Sequence, residues 1–473
     1  MASKTKSNVR AKKQASDPTT LSISKLRADF DGRVIAPGDP EYDQARTVFY
    51  GGIDRRPAVI IRVKDVDDVS RVVSLARETG LELAIRSGGH SIAGHSVSDG
   101  GIVLDLSNMK DLEIDVEGKT AWAETGLTAG ELTIALNKHG LAVGFGDTGS
   151  VGIGGLTLGG GVGYLVRKYG LSIDNLLAAE VVTADGQILR VDTENHPDLF
   201  WAIRGGGGNF GVATRFHFQL HEVDTIVGGM LVLPATAETI AGFIAEAEAA
   251  PEELSAIANV MTAPPMPFLP PEAHGKPIIM AIMVYAGDAA DGERVLAPFR
   301  VLAKPYADML RPMKYPEIYA GEQEDYHPVA AALTMFVDRI DRSVAETILN
   351  YLQSSKAMMA VAQLRVLGGA MARVAVEATA FAHRNSKIMV NVAALYQNLE
   401  EKTTHEAWVS EFAAALKQGD SGAYVNFLGA ESQERIRAAY PGEIWNRLQE
   451  IKTRYDPTNL FRLNQNIQPV IEP

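Results

Sequence analysis

Three stretches of this chain combine residue types that can hold or alter a ligand. Arg86-Ser87-Gly88-Gly89-His90-Ser91 follows a short β-rich run, and its paired glycines free backbone N–H groups to face a pyrophosphate. Between Gly144 and Gly163, ten of the twenty residues are glycine. Such density weakens an ordinary helix or strand, so it implies close approach to a flat or charged group. Val151, Ile153, Leu156 and Leu158 are spread through the run, whereas flexible linkers favour serine and other polar residues. Gly159-Gly160-Gly161-Val162-Gly163 closes it and can present backbone to the same ligand from another side. The third stretch, Gly206-Gly207-Gly208-Asn209-Phe210-Gly211, satisfies the G-x-G-x-x-G dinucleotide pattern, but that motif must open a helix. Here Val212 to Leu220 alternates apolar and polar like a strand, which disfavours a Rossmann nucleotide fold.

Composition narrows the chemistry further. The chain has 473 residues and no cysteine, which excludes disulfides, thiolate metal ligands, cysteine nucleophiles and any cysteinyl cofactor link. Its ten histidines show no His-Glu-x-x-His spacing, and no metal site is expected. A net charge of −13 disfavours nucleic acid or an anionic membrane as the main partner. No stretch approaches the roughly 20 apolar residues of a membrane helix. Residues 1–20 carry Lys4, Lys6, Arg10, Lys12 and Lys13 without an apolar core, so a disordered basic tail and a cytoplasmic protein are expected.

The elements that must position these stretches alternate between strand and helix as far as about Val223. Ala58–Val63 reads as a strand, and Asp65 offers an N-cap to a helix through Val66, Val69, Val73 and Ala76 that Gly80 ends. Leu83–Ile85 is the strand that feeds the Arg86–Ser91 loop, and Thr128-Ala129-Gly130-Glu131 has capping-box spacing. From about Ile226, alternating segments such as Ile278–Tyr285 mix with alanine-rich helices, the pattern of a second α+β domain. The expected boundaries are 21–225 for a ligand-binding domain, 226–423 for a substrate domain and 424–473 for a closing segment.

Taken in order, these motifs resemble the berberine-bridge-enzyme-like branch of the vanillyl-alcohol-oxidase/p-cresol-methylhydroxylase (PCMH) flavoproteins. The resemblance rests on Arg86–Ser91, on Gly152-Ile153-Gly154-Gly155 with Gly159–Gly163, and on Arg167-Lys168-Tyr169-Gly170-Leu171 with Asp174-Asn175. It continues through Asp198–Gly211 and closes in Tyr455–Ile467. It implies an α+β fold in which a two-part, PCMH-type domain binds FAD, an antiparallel sheet covers the flavin ring, and the C-terminal segment returns to the FAD domain. It also implies flavin contacts from Arg86, Ser87, Gly88, Gly89, His90, Ser91, Thr148, Val151, Gly152, Gly154, Gly155, Gly159, Gly160, Gly161, Gly163, Asp174, Asn175, Val181 and Asn464.

By the same resemblance, His90 is joined to the flavin 8α-methyl. Many members add a cysteinyl bond; Thr148-Gly149-Ser150-Val151-Gly152 stands at that place here, so a single tether is expected. Valine at Val151 resembles the oxidases, which points to dioxygen as acceptor and hydrogen peroxide as product. A dehydrogenase with another acceptor, or a flavin-binding protein without turnover, are the alternatives. Oxidation of a C–H beside a hydroxyl or amine of a small organic substrate needs a base, and Tyr424 and Tyr396 are the candidates, each also readable as a packed tyrosine. His95, His217 and His327 have no context that favours catalysis and are expected to be structural.

Overall fold

Apolar runs that are covered on both faces build the first sheet. Val59–Arg62, Ile102–Asp105 and Leu83–Arg86 pair in parallel in that order, with Val34–Ile35 antiparallel at one edge. The computed structural model describes residues 21–31, 33–319 and 326–470; the basic tail expected over residues 1–20 lies outside them. Asp65 caps the helix Val66–Thr79 by accepting the Asp68 N–H at 2.9 Å, and Gly80 ends it at φ 70°. The helix buries Val69, Val72, Val73 and Ala76 against this sheet.

A second, five-stranded antiparallel sheet runs Leu112–Asp115, Thr120–Glu124, Val212–Gln219, Leu176–Val182, Ile188–Val191. Val212–Gln219 is thus a strand, which is why the G-x-G-x-x-G pattern before it does not make a Rossmann unit. The capping box at Thr128 forms: Glu131 N–H donates to Thr128 Oγ1 at 3.2 Å and Thr128 N–H to Glu131 Oε2 at 2.9 Å, opening the helix Ala129–Asn137.

Between Thr225 and Tyr396 the chain forms an eight-stranded antiparallel sheet. Leu254–Thr262, Met359–Val366, Ile388–Tyr396 and Val329–Val337 are adjacent in that order, the last at the sheet edge. Period-2 alternation divides each strand between two faces. One face buries Val390, Val392, Ala394 and Tyr396 against the helices Ala237–Ala249, Ala289–Arg300, Arg342–Ser354 and Lys402–Leu416. The other face turns toward the first two sheets.

The C-terminal helix Glu443–Tyr455 returns to the five-stranded sheet and packs Ile444, Trp445, Leu448 and Ile451 into its core. Lys452 fixes it there: fully buried, its Nζ donates to Asp456 at 2.7 Å and to the carbonyls of Asn209 and Phe461 at 2.8 and 2.9 Å. Buried cations also join the two subdomains. Arg384 grips Asp174 with two bonds of 2.7 and 2.8 Å, and Arg167 donates to the carbonyls of Ala247, Ala250 and Leu254. No described helix is long and apolar enough to cross a membrane, and the described residues contain no cluster of three or more metal-ligating side chains.

Candidate active site between the two subdomains

The two subdomains enclose a cavity of about 540 Å3. One wall is made by the glycine loops. Gly88 and Gly152 meet backbone to backbone: a Cβ on Gly88 would lie 2.1 Å from the Gly152 nitrogen, and one on Gly152 would lie 2.1 Å from Ser87 Oγ. Ser87 locks this crossing by donating to the Thr125 carbonyl at 2.5 Å and accepting the Gly154 N–H at 3.2 Å. Gly155 and Gly208 also line the cavity, and a Cβ on either would meet nothing within 4 Å. The wall is therefore bare backbone with open room in front of it.

His90 stands at the edge of this wall. Its Nε2 is 2.9 Å from Ser150 Oγ, and its ring stacks on Phe49 with centroids 4.1 Å apart. Burial lowers its pKa to about 4, against the pull of a bond to the Ser150 backbone, so the imidazole is neutral. Asn464 lines the cavity as well; its Nδ2 donates to the carbonyls of Gly208 and Phe461, while its buried Oδ1 has no partner. An unpaired buried acceptor in a cavity wall calls for a donor on a bound group. The imide N–H of a flavin ring is such a donor, and side-chain-free loops suit its diphosphate arm, so these residues fit FAD.

Tyr424 is buried where the closing segment meets the second glycine run. Its oxygen receives the N–H of Gly161 at 2.9 Å, that of Val162 at 3.3 Å and Asn426 Nδ2 at 3.0 Å. Burial pushes its phenol up, against the pull of these donors and of the Arg365 charge. The opposite wall is the free face of the large sheet, which presents Gln363, Arg365, Asn391, Ala393 and Ala332.

Of the residues expected at the flavin, the structure gathers Ser87, Gly88, Gly89, His90, Ser91, Thr148, Val151, Gly152, Gly154, Gly155 and Asn464 around this one cavity, together with Tyr424. It places the others behind the wall. Arg86 points away, donating to the carbonyls of Ala45 and Ser96. Gly159, Gly160, Gly161 and Gly163 serve close packing: a Cβ on Gly159 would strike Asn426 Oδ1 at 2.0 Å, and one on Gly163 the Phe145 carbonyl at 1.2 Å. Asp174 is held by Arg384, Asn175 Oδ1 lies 2.6 Å from His221 Nε2, and Val181 is buried in the five-stranded sheet.

Tyr396 does not reach the cavity. Alternation puts it on the helix face with Val392 and Ala394, where it stacks on His405 at 4.7 Å, while Asn391, Ala393 and Leu395 face the site.

Several lining residues carry no local sequence signal. Asp147 and Arg365 form an ion pair across the cavity wall, and Phe49 and Tyr50 come from a loop near the N-terminus. His95 lines the cavity too, where burial lowers its pKa to about 4. His217 stacks on Trp122, and His327 Nδ1 lies 3.0 Å from the Val48 carbonyl. Gly207, Gly208 and Asn209, the loop that imitates a dinucleotide motif, line the cavity in their own right.

Comparison with known proteins agrees with this geometry. Residues 57–192 match the FAD binding domain family, and residues 423–468 match the family described as berberine and berberine like. The chain is similar to (R)-6-hydroxynicotine oxidase of Paenarthrobacter nicotinovorans, 30% identical over 456 residues that span 93% of this chain and 97% of that protein. An FAD-linked oxidoreductase of Dictyostelium discoideum is 29% identical over 463 residues, 95% of this chain and 98% of its own length. The crystal structure of 6-hydroxy-D-nicotine oxidase from Arthrobacter nicotinovorans superposes with a TM-score of 0.82 at 29% identity, over 92% of this chain and 98% of that one. The chain belongs to the berberine-bridge-like branch of the vanillyl-alcohol-oxidase/PCMH flavoproteins, with their PCMH-type FAD subdomain and antiparallel-sheet substrate subdomain, and is an FAD-linked oxidoreductase of small organic substrates.

Proposed function

We propose that the protein is an oxidase that attacks a C–H beside a hydroxyl or amine of a small organic substrate, with its FAD attached once, through His90. When bound, FAD would supply a two-electron acceptor for the substrate hydride, with dioxygen as the final oxidant and hydrogen peroxide as the product.

The setting of Tyr424 carries this reading. A neutral phenol oxygen offers two lone pairs, yet three N–H groups converge on this one. That arrangement suits a phenolate, so Tyr424 is the group that takes the substrate's hydroxyl proton, at Oη. Because burial raises its pKa, the oxidation rate should climb as pH rises and the phenolate fills. His90 suits a covalent role by being neutral and held beside Ser150 at the edge of the glycine wall. Val151, in the cavity wall, supports dioxygen as the acceptor.

A panel of alcohols, sugars and amines, read as peroxide, identifies a working substrate. With it, anaerobic mixing should bleach the flavin, and Tyr424→Phe should slow bleaching by about 100-fold or more. Air should then restore the yellow form within seconds. Bleaching of the variant at the wild-type rate would remove Tyr424 as the base, and reoxidation over minutes would remove the oxidase.

A further inference from the structure

We propose that Phe49 is a positioning residue for the cofactor bond: together with Ser150 it clamps the His90 ring in the orientation from which the single attachment forms. The proposal rests on the attachment through His90 stated above and adds the groups that bring it about. The bond joins a ring nitrogen of His90 to the carbon of the flavin 8α-methyl, and a methyl C–H and the imidazole N–H are broken. The carbon loses two electrons, dioxygen gains them, and the two hydrogens leave in hydrogen peroxide.

A histidine alone does not hold such a geometry. Its χ2 torsion is broad and roughly two-fold, so the ring swings unless its neighbours fix it. Two contacts do so here, and they restrict different motions. The Phe49 ring lies on the imidazole face with centroids 4.1 Å apart and planes 19° apart, which sets the tilt of the ring. Ser150 Oγ, 2.9 Å from Nε2, selects one of the two ring flips that the stack allows and pins the far end of the ring. Burial keeps the imidazole neutral, so it retains the lone pair that the bond requires. With no cysteine in the chain, no cysteinyl bond can hold the flavin while His90 finds its place. A misplacement of about 1 Å between reacting groups costs on the order of 100-fold in rate, so the clamp has a measurable task.

The Phe49 side of the clamp is itself braced from both subdomains. Phe49 N–H donates to the Gly89 carbonyl at 3.1 Å, so the ring is carried beside the loop that bears His90. Its edge is met by the Tyr50 ring, nearly perpendicular at 5.1 Å. On the other side, His327 Nδ1 lies 3.0 Å from the Val48 carbonyl and 3.2 Å from that of Phe49. Gly51 N–H donates to the Pro328 carbonyl at 3.0 Å, and a Cβ on Gly51 would lie 2.6 Å from the His327 carbonyl. His327 and Pro328 lead directly into Val329–Val337, the edge strand of the large sheet. The clamp therefore takes its final shape where the two subdomains dock, and the bond to His90 is made on the docked protein.

The test follows attachment itself, apart from turnover. Full-length protein is produced under riboflavin limitation and then supplied with FAD in air. Bound FAD is read from the absorbance of the desalted protein, and the adduct from the mass of the peptide that contains His90. Phe49→Tyr keeps the flat face and should complete the adduct within about twofold of the wild-type rate, whereas Phe49→Leu keeps the apolar bulk without the face. Phe49→Leu and Ser150→Ala should both bind FAD but form the adduct about tenfold or more slowly. A Phe49→Leu protein that forms the adduct at the wild-type rate, or a Phe49→Tyr protein as slow as Phe49→Leu, overturns the clamp. So does a Phe49→Leu protein that folds but cannot hold FAD, because the residue would then serve packing. Ser150→Ala removes one hydroxyl from a half-buried position, so it reads the second contact even if Phe49→Leu fails to fold; adduct formation at the wild-type rate there overturns the clamp as well. Wild type that binds FAD and forms no adduct would instead overturn the single attachment, a result distinct from slow attachment in the variants.

Discussion

Where the glycine loops cross, the cofactor wall of the cavity is bare backbone; the sheet wall presents side chains. Gly88 and Gly152 touch through backbone, and Gly155 and Gly208 leave open room, so the first wall is specified by the absence of Cβ atoms. The second wall is specified by alternation, which sends Asn391, Ala393 and Leu395 into the cavity and Val392, Ala394 and Tyr396 into the helix-covered core. The first wall has one geometry that works. The second can change its chemistry at each exposed position without disturbing the fold behind it, which is how a fixed cofactor site and a variable substrate site share one cavity.

The largest effect should come from breaking the backbone wall. Gly88→Ala drives a Cβ onto the Gly152 backbone, where no side chain can rotate away, and should destabilise the protein by more than about 4 kcal/mol or leave it without flavin. Chemical denaturation and the flavin absorbance of purified protein check this; a stable, fully yellow variant would mean that the loops do not need their contact. Next is the anchor that holds the closing segment to the cofactor side. Lys452→Met strands Asp456 in a fully buried position and should cost about 3–5 kcal/mol in a urea titration. A loss of less than about 1 kcal/mol would show that the Asp456 bonds to the Leu460 and Phe461 N–H groups suffice.

A smaller effect depends on pH. His95 has its folded pKa lowered from 6.5 to about 4 by burial, so the unfolded chain takes up a proton that the folded one refuses. The stability that neutral His95 contributes is fully present above pH 6.5 and is lost as pH falls toward 4, on the order of 3 kcal/mol. Denaturation midpoints for wild type and His95→Asn should therefore diverge in their pH slope across that window, and parallel slopes would contradict it. The smallest effect is expected at Tyr396, whose ring packs on His405 behind the sheet. Tyr396→Phe should leave the oxidation rate within about twofold, since it touches no lining residue's chemistry. A loss comparable to that of Tyr424→Phe would reverse the assignment of the two faces.

The same contrast decides how much was legible in the sequence. Glycine density marks the cofactor wall directly, because no other residue type permits Gly88 against Gly152, and caps such as Asp65 and Thr128 mark helix starts through purely local bonds. The motif glycines Gly159 to Gly163 and the pair Asp174 and Asn175 look alike in sequence but hold Tyr424 and the joint between subdomains, since close packing and cofactor contact both call for glycine and small polar residues. Tyr396 and Tyr424 are separated by strand register alone. The Asp147–Arg365 pair spans 218 residues, and no local pattern announces a contact made only by the docking of two subdomains.

The central claim is that this wall ends in one covalent anchor. With no cysteine in the chain, the proposed attachment rests on His90. Mass spectrometry of peptides from acid-denatured, flavin-loaded protein tests it directly. The account predicts a flavin adduct on the peptide that contains His90 and on no other, with the yellow colour remaining in the acid precipitate. An unmodified His90 peptide, with the flavin released into the supernatant, would contradict it.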